Sequence, residues 1–113
     1  MKTVTLGILS LEQAETRVAA AFRGKAQGTH ISFTSIDILW KVLAPKRWQL
    51  LTAMTGQGPM TIREAARRVG RDVKAVHGDV QALLSAGVLD RTDEGRIVFP
   101  YDAVRVDFTI RAA

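Results

Sequence analysis

A mainly helical α+β fold is what this 113-residue sequence predicts, and three observations predict it. Short segments of alternating polarity stand near both ends of the chain. Four segments with helical apolar spacing fill the middle. The last two of these are joined by a turn containing Gly70 and are followed by a two-stranded hairpin signal. Two short helices across a glycine turn, with a hairpin after the second, spell a winged helix-turn-helix. Here it carries an added N-terminal strand-helix-strand and a C-terminal strand.

The elements follow in order. From Lys2 to Leu9, Val4, Leu6 and Ile8 alternate with Thr3, Thr5 and Gly7, the period of a half-buried strand. Ser10 opens a helix in which Gln13 can complete the cap and Leu11, Ala14, Val18, Ala21 and Phe22 share a face. Gly24 to Gly28 end it. His30 to Thr34, with Ile31 and Phe33 together, predicts a second strand. A helix from Ser35 presents Ile36, Leu39, Trp40, Val42 and Leu43, and stops before Pro45, because the residue preceding proline avoids helical angles. Pro45 suits the first turn of the next helix, whose apolar face is Trp48, Leu50, Leu51 and Met54. Both tryptophans are expected in the core. Residues 55–59, Thr-Gly-Gln-Gly-Pro, break the chain.

After the break, Thr61 and Glu64 have capping-box spacing. Ile62, Ala65, Ala66 and Val69 then form a narrow apolar face, and Gly70 can close the helix in the left-handed conformation. Asp72 caps a second helix with Val73, Val76, Val80, Leu83 and Leu84 as buried positions. Residues 86–89, Ala-Gly-Val-Leu, stop that helix and begin a strand. Asp93, Glu94 and Gly95 turn it, and Arg96 to Phe99 return. Val104, Val106, Phe108 and Ile110 predict a final strand. Three regions result: 1–34 and 100–113 as dimerisation extensions, and 35–99 as the DNA-binding domain.

Composition bounds the function. A hydrophobic content of 47% with 24% charged residues is that of an ordinary soluble globular chain. No apolar run approaches the roughly 20 residues of a membrane helix, and the start does not resemble a signal peptide, so a cytoplasmic protein is expected. The absence of cysteine removes disulfides, thiolate metal sites and cysteine nucleophiles. The formal charge of +5 favours a polyanionic partner. It is distributed as +4 over residues 1–58, +2 over 59–92 and −1 over 93–113, so the C-terminal segment is not a basic arm.

The second helix of the pair is the expected reader of double-stranded DNA. Lys74, His77, Gly78, Gln81 and Ser85 occupy its outer face, the small Gly78 permitting close approach to the groove, and Ala75 is counted among the DNA-binding positions. Gln81 suits adenine, and Lys74 suits guanine or phosphate. Arg63, Arg67, Arg68 and Arg71 flank that helix, and Arg91 and Arg96 flank the hairpin tip, all placed for backbone phosphates. His30 and His77 have no partner at metal-ligand spacing. Asp79 lies two residues from His77, on a different face, and is expected to pair locally or orient an arginine. No nucleophile-base pair, metal cluster or phosphate-binding glycine loop is present, so neither an enzyme nor a cofactor is expected.

The run from Ile62 to Leu89, with Leu83, Ala86, Gly87, Val88 and Leu89 at the end of the second helix, resembles winged-helix regulators of the metalloregulator and multiple-antibiotic-resistance type. Residues 70–74 (Gly-Arg-Asp-Val-Lys), Asp79-Val80 and Pro100-Tyr101-Asp102 are similar to a widespread group of small prokaryotic winged-helix regulators, over roughly residues 30–108. The resemblance implies a transcriptional regulator. A homodimeric repressor is the first reading, because a single module buries little DNA and paired recognition helices read half-sites about 10 bp apart. An antitoxin that binds a partner toxin protein and autoregulates its operon is the alternative. The metalloregulators' sensing cysteines are missing, so metal sensing is not implied. The two terminal strands are expected to pair with each other or across the dimer, since an unpaired edge invites association.

Overall fold

In a computed structural model the described residues are 1–9, 15, 29–110 and 112. They form an α+β domain with nine named elements in the order β1 (Thr3–Ile8), β2 (Thr29–Phe33), α1 (Ile36–Val42), α2 (Pro45–Met54), α3 (Ile62–Val69), α4 (Val73–Ser85), β3 (Asp90–Arg91), β4 (Ile97–Val98) and β5 (Ala103–Asp107). The helix predicted from Ser10 lies outside the described residues. None of the described helices is long and apolar enough to cross a membrane.

The terminal strands do pair with each other. β1 is the middle of a three-stranded sheet, order β2-β1-β5, and runs parallel to both neighbours. Val4 and Leu6 lie opposite Val104 and Val106, and opposite Thr29 and Ile31 on the other side. The remaining pair, β3 and β4, is an antiparallel hairpin, extended by Met60, which exchanges two backbone hydrogen bonds of 2.9 Å with Ile97.

One hydrophobic cluster unites the parts. Val4 and Leu6 from the sheet, Leu39 and Leu50 from α1 and α2, Ala65 and Val80 from α3 and α4, and Ile97 and Phe99 after the hairpin tip belong to the same core. The ends are latched to each other as well. Asp102 accepts the Lys2 backbone N–H at 2.9 Å and donates its own to the Lys2 carbonyl at 2.7 Å, while the Lys2 ammonium lies 5.4 Å from the centre of the Tyr101 ring.

Gly7 has a packing role that its position on a strand does not advertise. A Cβ there would sit 2.6 Å from the Asp107 carbonyl oxygen, closer than the backbone of β5 can tolerate. Gly7→Ala should therefore push β5 away and lower stability by about 1–3 kcal/mol, as overpacking does. A thermal melt unchanged by that substitution would contradict the tight β1–β5 contact.

Three apolar residues depart from expectation. Trp40 and Trp48 were predicted in the core, yet they are 52% and 37% exposed. Both lie on the outer margins of α1 and α2, where Trp40 packs edge-to-face on Phe108 with ring centres 5.7 Å apart. Val73 is exposed too. As the first residue of α4 it borders an open depression instead of a packed neighbour.

Candidate nucleic-acid interface

Helices α3 and α4 form where their caps dictate. The Thr61 hydroxyl accepts the Glu64 backbone N–H at 3.1 Å, and Gly70 ends α3 at φ +66°, a conformation glycine enters without steric cost. Asp72 caps α4 by accepting the Lys74 backbone N–H at 3.1 Å. Only Gly70, Arg71 and Asp72 separate the helices. Ala65 and Ala66, fully buried, allow α4 to pack close to α3.

Burial of Val76, Val80 and Leu83 fixes the rotation of α4 about its axis. The opposite side is then solvent-facing: Lys74, Ala75, His77, Gly78, Gln81 and Ser85 are all exposed. A Cβ on Gly78 would meet nothing within 4 Å among the described residues, so none of them crowds this stretch of the helix. Among the described residues Lys74 makes no ion pair, in contrast to most arginines nearby.

Those arginines divide into three groups. Arg63 on α3 and Arg96 beside the hairpin tip are exposed and form no ion pair among the described residues. Arg91 is similar, its guanidinium donating only a long 3.4 Å bond to the Gly95 carbonyl within the hairpin. Arg67 and Arg68 both engage Glu64, Arg67 through two hydrogen bonds and Arg68 through one of 3.0 Å. Arg68 also donates to the Gln57 amide oxygen at 2.9 Å. Glu64 therefore does not close the predicted capping box with its side chain; the neighbouring guanidiniums outcompete the uncharged Thr61 N–H.

The Glu64 carboxyl is held at about 2, from the ordinary 4.5, by hydrogen bonds from Arg67 and then Arg68, with desolvation opposing. The same contact keeps Arg67 still more firmly protonated. A folded-state value below the unfolded one means that these ion pairs contribute fully above about pH 4.5 and are lost as the pH falls toward 2. A carboxyl-detected NMR titration should find the Glu64 midpoint near 2, moving toward 4.5 in an Arg67→Ala, Arg68→Ala double variant. A wild-type midpoint near 4.5 would show that the pairs do not persist in solution.

Arg71 is the exception among the predicted phosphate contacts. Its side chain is 19% exposed, and its Nη2 lies 2.8 Å from Oδ2 of Asp79, itself 16% exposed. The contact is an ion pair without hydrogen-bond alignment, and among the described residues the buried Arg71 Nη1 has no hydrogen-bond partner. Arg71 thus faces inward, because the turn that carries it folds back against α4. On the other carboxylate oxygen, Arg47 from α2 donates through Nε at 3.1 Å, and its Nη1 reaches the Lys41 and Val42 carbonyls at the end of α1. Asp79 accordingly binds two arginines, joining α4 to α1, α2 and the α3–α4 turn. Asp79 orienting an arginine was legible in the sequence; Arg47, 32 positions away, had no local signal.

The structure brings part of the predicted set together. Arg63, Arg67 and Arg71 border one open depression of ≈ 400 Å³ with Thr61, Glu64, Ala66 and Val73, between α3 and the start of α4. The α4 face lies on the next turns, and Arg91 and Arg96 belong to the separate hairpin. Among the described residues no cluster of metal-ligating side chains occurs.

This arrangement of α2, the α3–α4 pair, the hairpin and β5 is also the segment matched by a protein-family model described as HVO_A0114, over residues 42–106. The chain belongs to the HVO_A0114 family. The family match includes Arg47, Arg71 and Asp79, and it leaves β1 and β2 outside. No curated protein matches the chain.

Proposed function

We propose that this member of the HVO_A0114 family is a winged helix-turn-helix regulator that binds double-stranded DNA as a homodimer and represses transcription. In this reading α3 and α4 are the helix-turn-helix, α4 enters the major groove, and the β3–β4 hairpin is the wing beside it. The observation that carries it is the outer face of α4. There Lys74, His77 and Gln81 are exposed around an unobstructed Gly78, on a helix whose other side is buried on Val76, Val80 and Leu83. Exposed donors on that face can reach base edges in the major groove, and the missing side chain at Gly78 leaves room for the helix to approach them closely.

Arg63, Arg91 and Arg96 supply phosphate contacts without first breaking an ion pair; Arg67 and Arg68 must exchange Glu64 for phosphate. The reading sets the protein in the cytoplasm, with the DNA it regulates. The test is selection of bound duplexes from a random library, followed by titration of the selected duplex by fluorescence anisotropy at several salt concentrations. A recurrent, partly palindromic sequence with affinity falling steeply as salt rises is the expected result. No enrichment, or binding indifferent to salt, would overturn the proposal.

A further inference from the structure

Beside the two exposed tryptophans lies an unpaired sheet edge. β5 bonds β1 on one side, and no described strand covers its other side. Ala103 donates its N–H toward the Lys2 carbonyl, so Ala103, Arg105 and Asp107 turn their backbone groups to β1. Because successive residues of a strand point these groups to opposite sides, Val104 and Val106 present theirs outward. An edge with open donors and acceptors is a template for another strand.

We propose that a second copy of this chain docks along this edge, its β5 running antiparallel with Val106 opposite Val106. That register is the one the charges select. It places Arg105 of each copy opposite Asp107 of the other, and Val104 opposite Phe108. Centring the pair on Arg105 or on Asp107 instead would set like charges face to face, which destabilises a sheet. Val104 and Val106 both turn their backbone outward and so could form the hydrogen-bonded pair on the axis, but centring on Val104 would set Arg105 opposite Ala103 and Asp107 opposite Tyr101, without the two opposite-charge pairs that the Val106 register makes. Arg105 and Asp107 are well exposed and lie 3.9 Å apart within the strand, so neither is committed to the core.

The side chains agree with the backbone. Val104 and Val106 stand in register with the buried Val4 and Leu6, on the helix-bearing face of the sheet. There Trp40, Leu43, Trp48, Val106 and Phe108 line an apolar groove of ≈ 390 Å³. A twofold axis perpendicular to the sheet keeps the helices of both copies on one side, so the two grooves close over the seam of a six-stranded sheet. Covering the tryptophans adds the apolar area that two short strands lack. This gives a form to the homodimer of the function proposed above and rests on that reading only for the existence of a dimer.

Sedimentation equilibrium of the full chain tests it. Wild type should be dimeric, Arg105→Asp alone and Asp107→Arg alone should each weaken the dimer by about tenfold or more through two like-charge pairs, and an equimolar mixture of the two variants should restore it as a heterodimer. Thermal melts of the separate variants check that these exposed positions leave the fold intact. A monomeric wild type, single variants as dimeric as wild type, or a mixture no tighter than its components would each overturn the inference. A dimer with these charge responses that binds no selected DNA would overturn the DNA reading alone. Selected-site binding by a protein that stays monomeric would overturn the β5 interface and the homodimer of the function proposed above, leaving DNA binding by α4 in place.

Discussion

Asp79→Ala should lower stability by about 2–3 kcal/mol, below the full cost of breaking a deeply buried ion pair because its arginines keep some contact with water. Among the described residues the Asp79 carboxylate is the sole acidic partner of Arg47 and Arg71. Its removal leaves two half-buried cations facing each other, with Arg71 Nη1 already lacking a hydrogen-bond partner. Loss of either arginine alone has a smaller cost, since one ion pair survives. For a chain of this size the Asp79→Ala melt should fall by about 10 °C. Removing the carboxylate should also loosen the seat of α4, so amide exchange should quicken first in the α3–α4 turn and the last turn of α1, where Arg47 holds two carbonyls. An unchanged melting temperature would mean that the node holds neither helix.

Lys74→Ala with Gln81→Ala should cost about 10- to 100-fold in affinity for a selected duplex, the range of one or two lost base contacts. Random duplex should lose far less, by the single phosphate charge that Lys74 can supply. Both residues are exposed and neither supports the core, so the folded state should be unaffected. Arg63→Ala and Arg96→Ala form the contrasting pair, which should weaken selected and random DNA alike and flatten the salt dependence. Equal losses on both duplexes in the Lys74 and Gln81 variant would sink the claim that α4 reads bases. Arg71→Ala should act through stability, not through DNA affinity at a temperature where the protein remains folded.

The local features of α3, α4 and the hairpin were legible because they rest on neighbours in sequence. Thr61 and Asp72 cap the helices that follow them, and Gly70 takes the left-handed angle expected of it. Gly87 and Gly95 likewise adopt positive φ at the end of α4 and at the hairpin turn. The outer face of α4 follows from the 4, 3 spacing of the buried Val76, Val80 and Leu83 with little further information. Trp40 and Trp48 escape the core for a related reason. Helical spacing identifies an apolar face, but how much of that face a neighbour covers depends on where the neighbour ends.

By itself, then, the sequence determined the ends of α3 and α4, the glycine turns that follow them and which residues stand on the open side of α4, since caps and periodicity act within a few residues. Only the tertiary structure decided that β1 lies parallel between β2 and β5, that Gly7 must be bare for the Asp107 carbonyl, and that Arg71 turns inward to share Asp79 with Arg47. These depend on contacts between segments from 8 to 100 residues apart, where burial and charge neutralisation choose the partner and sequence spacing carries no signal.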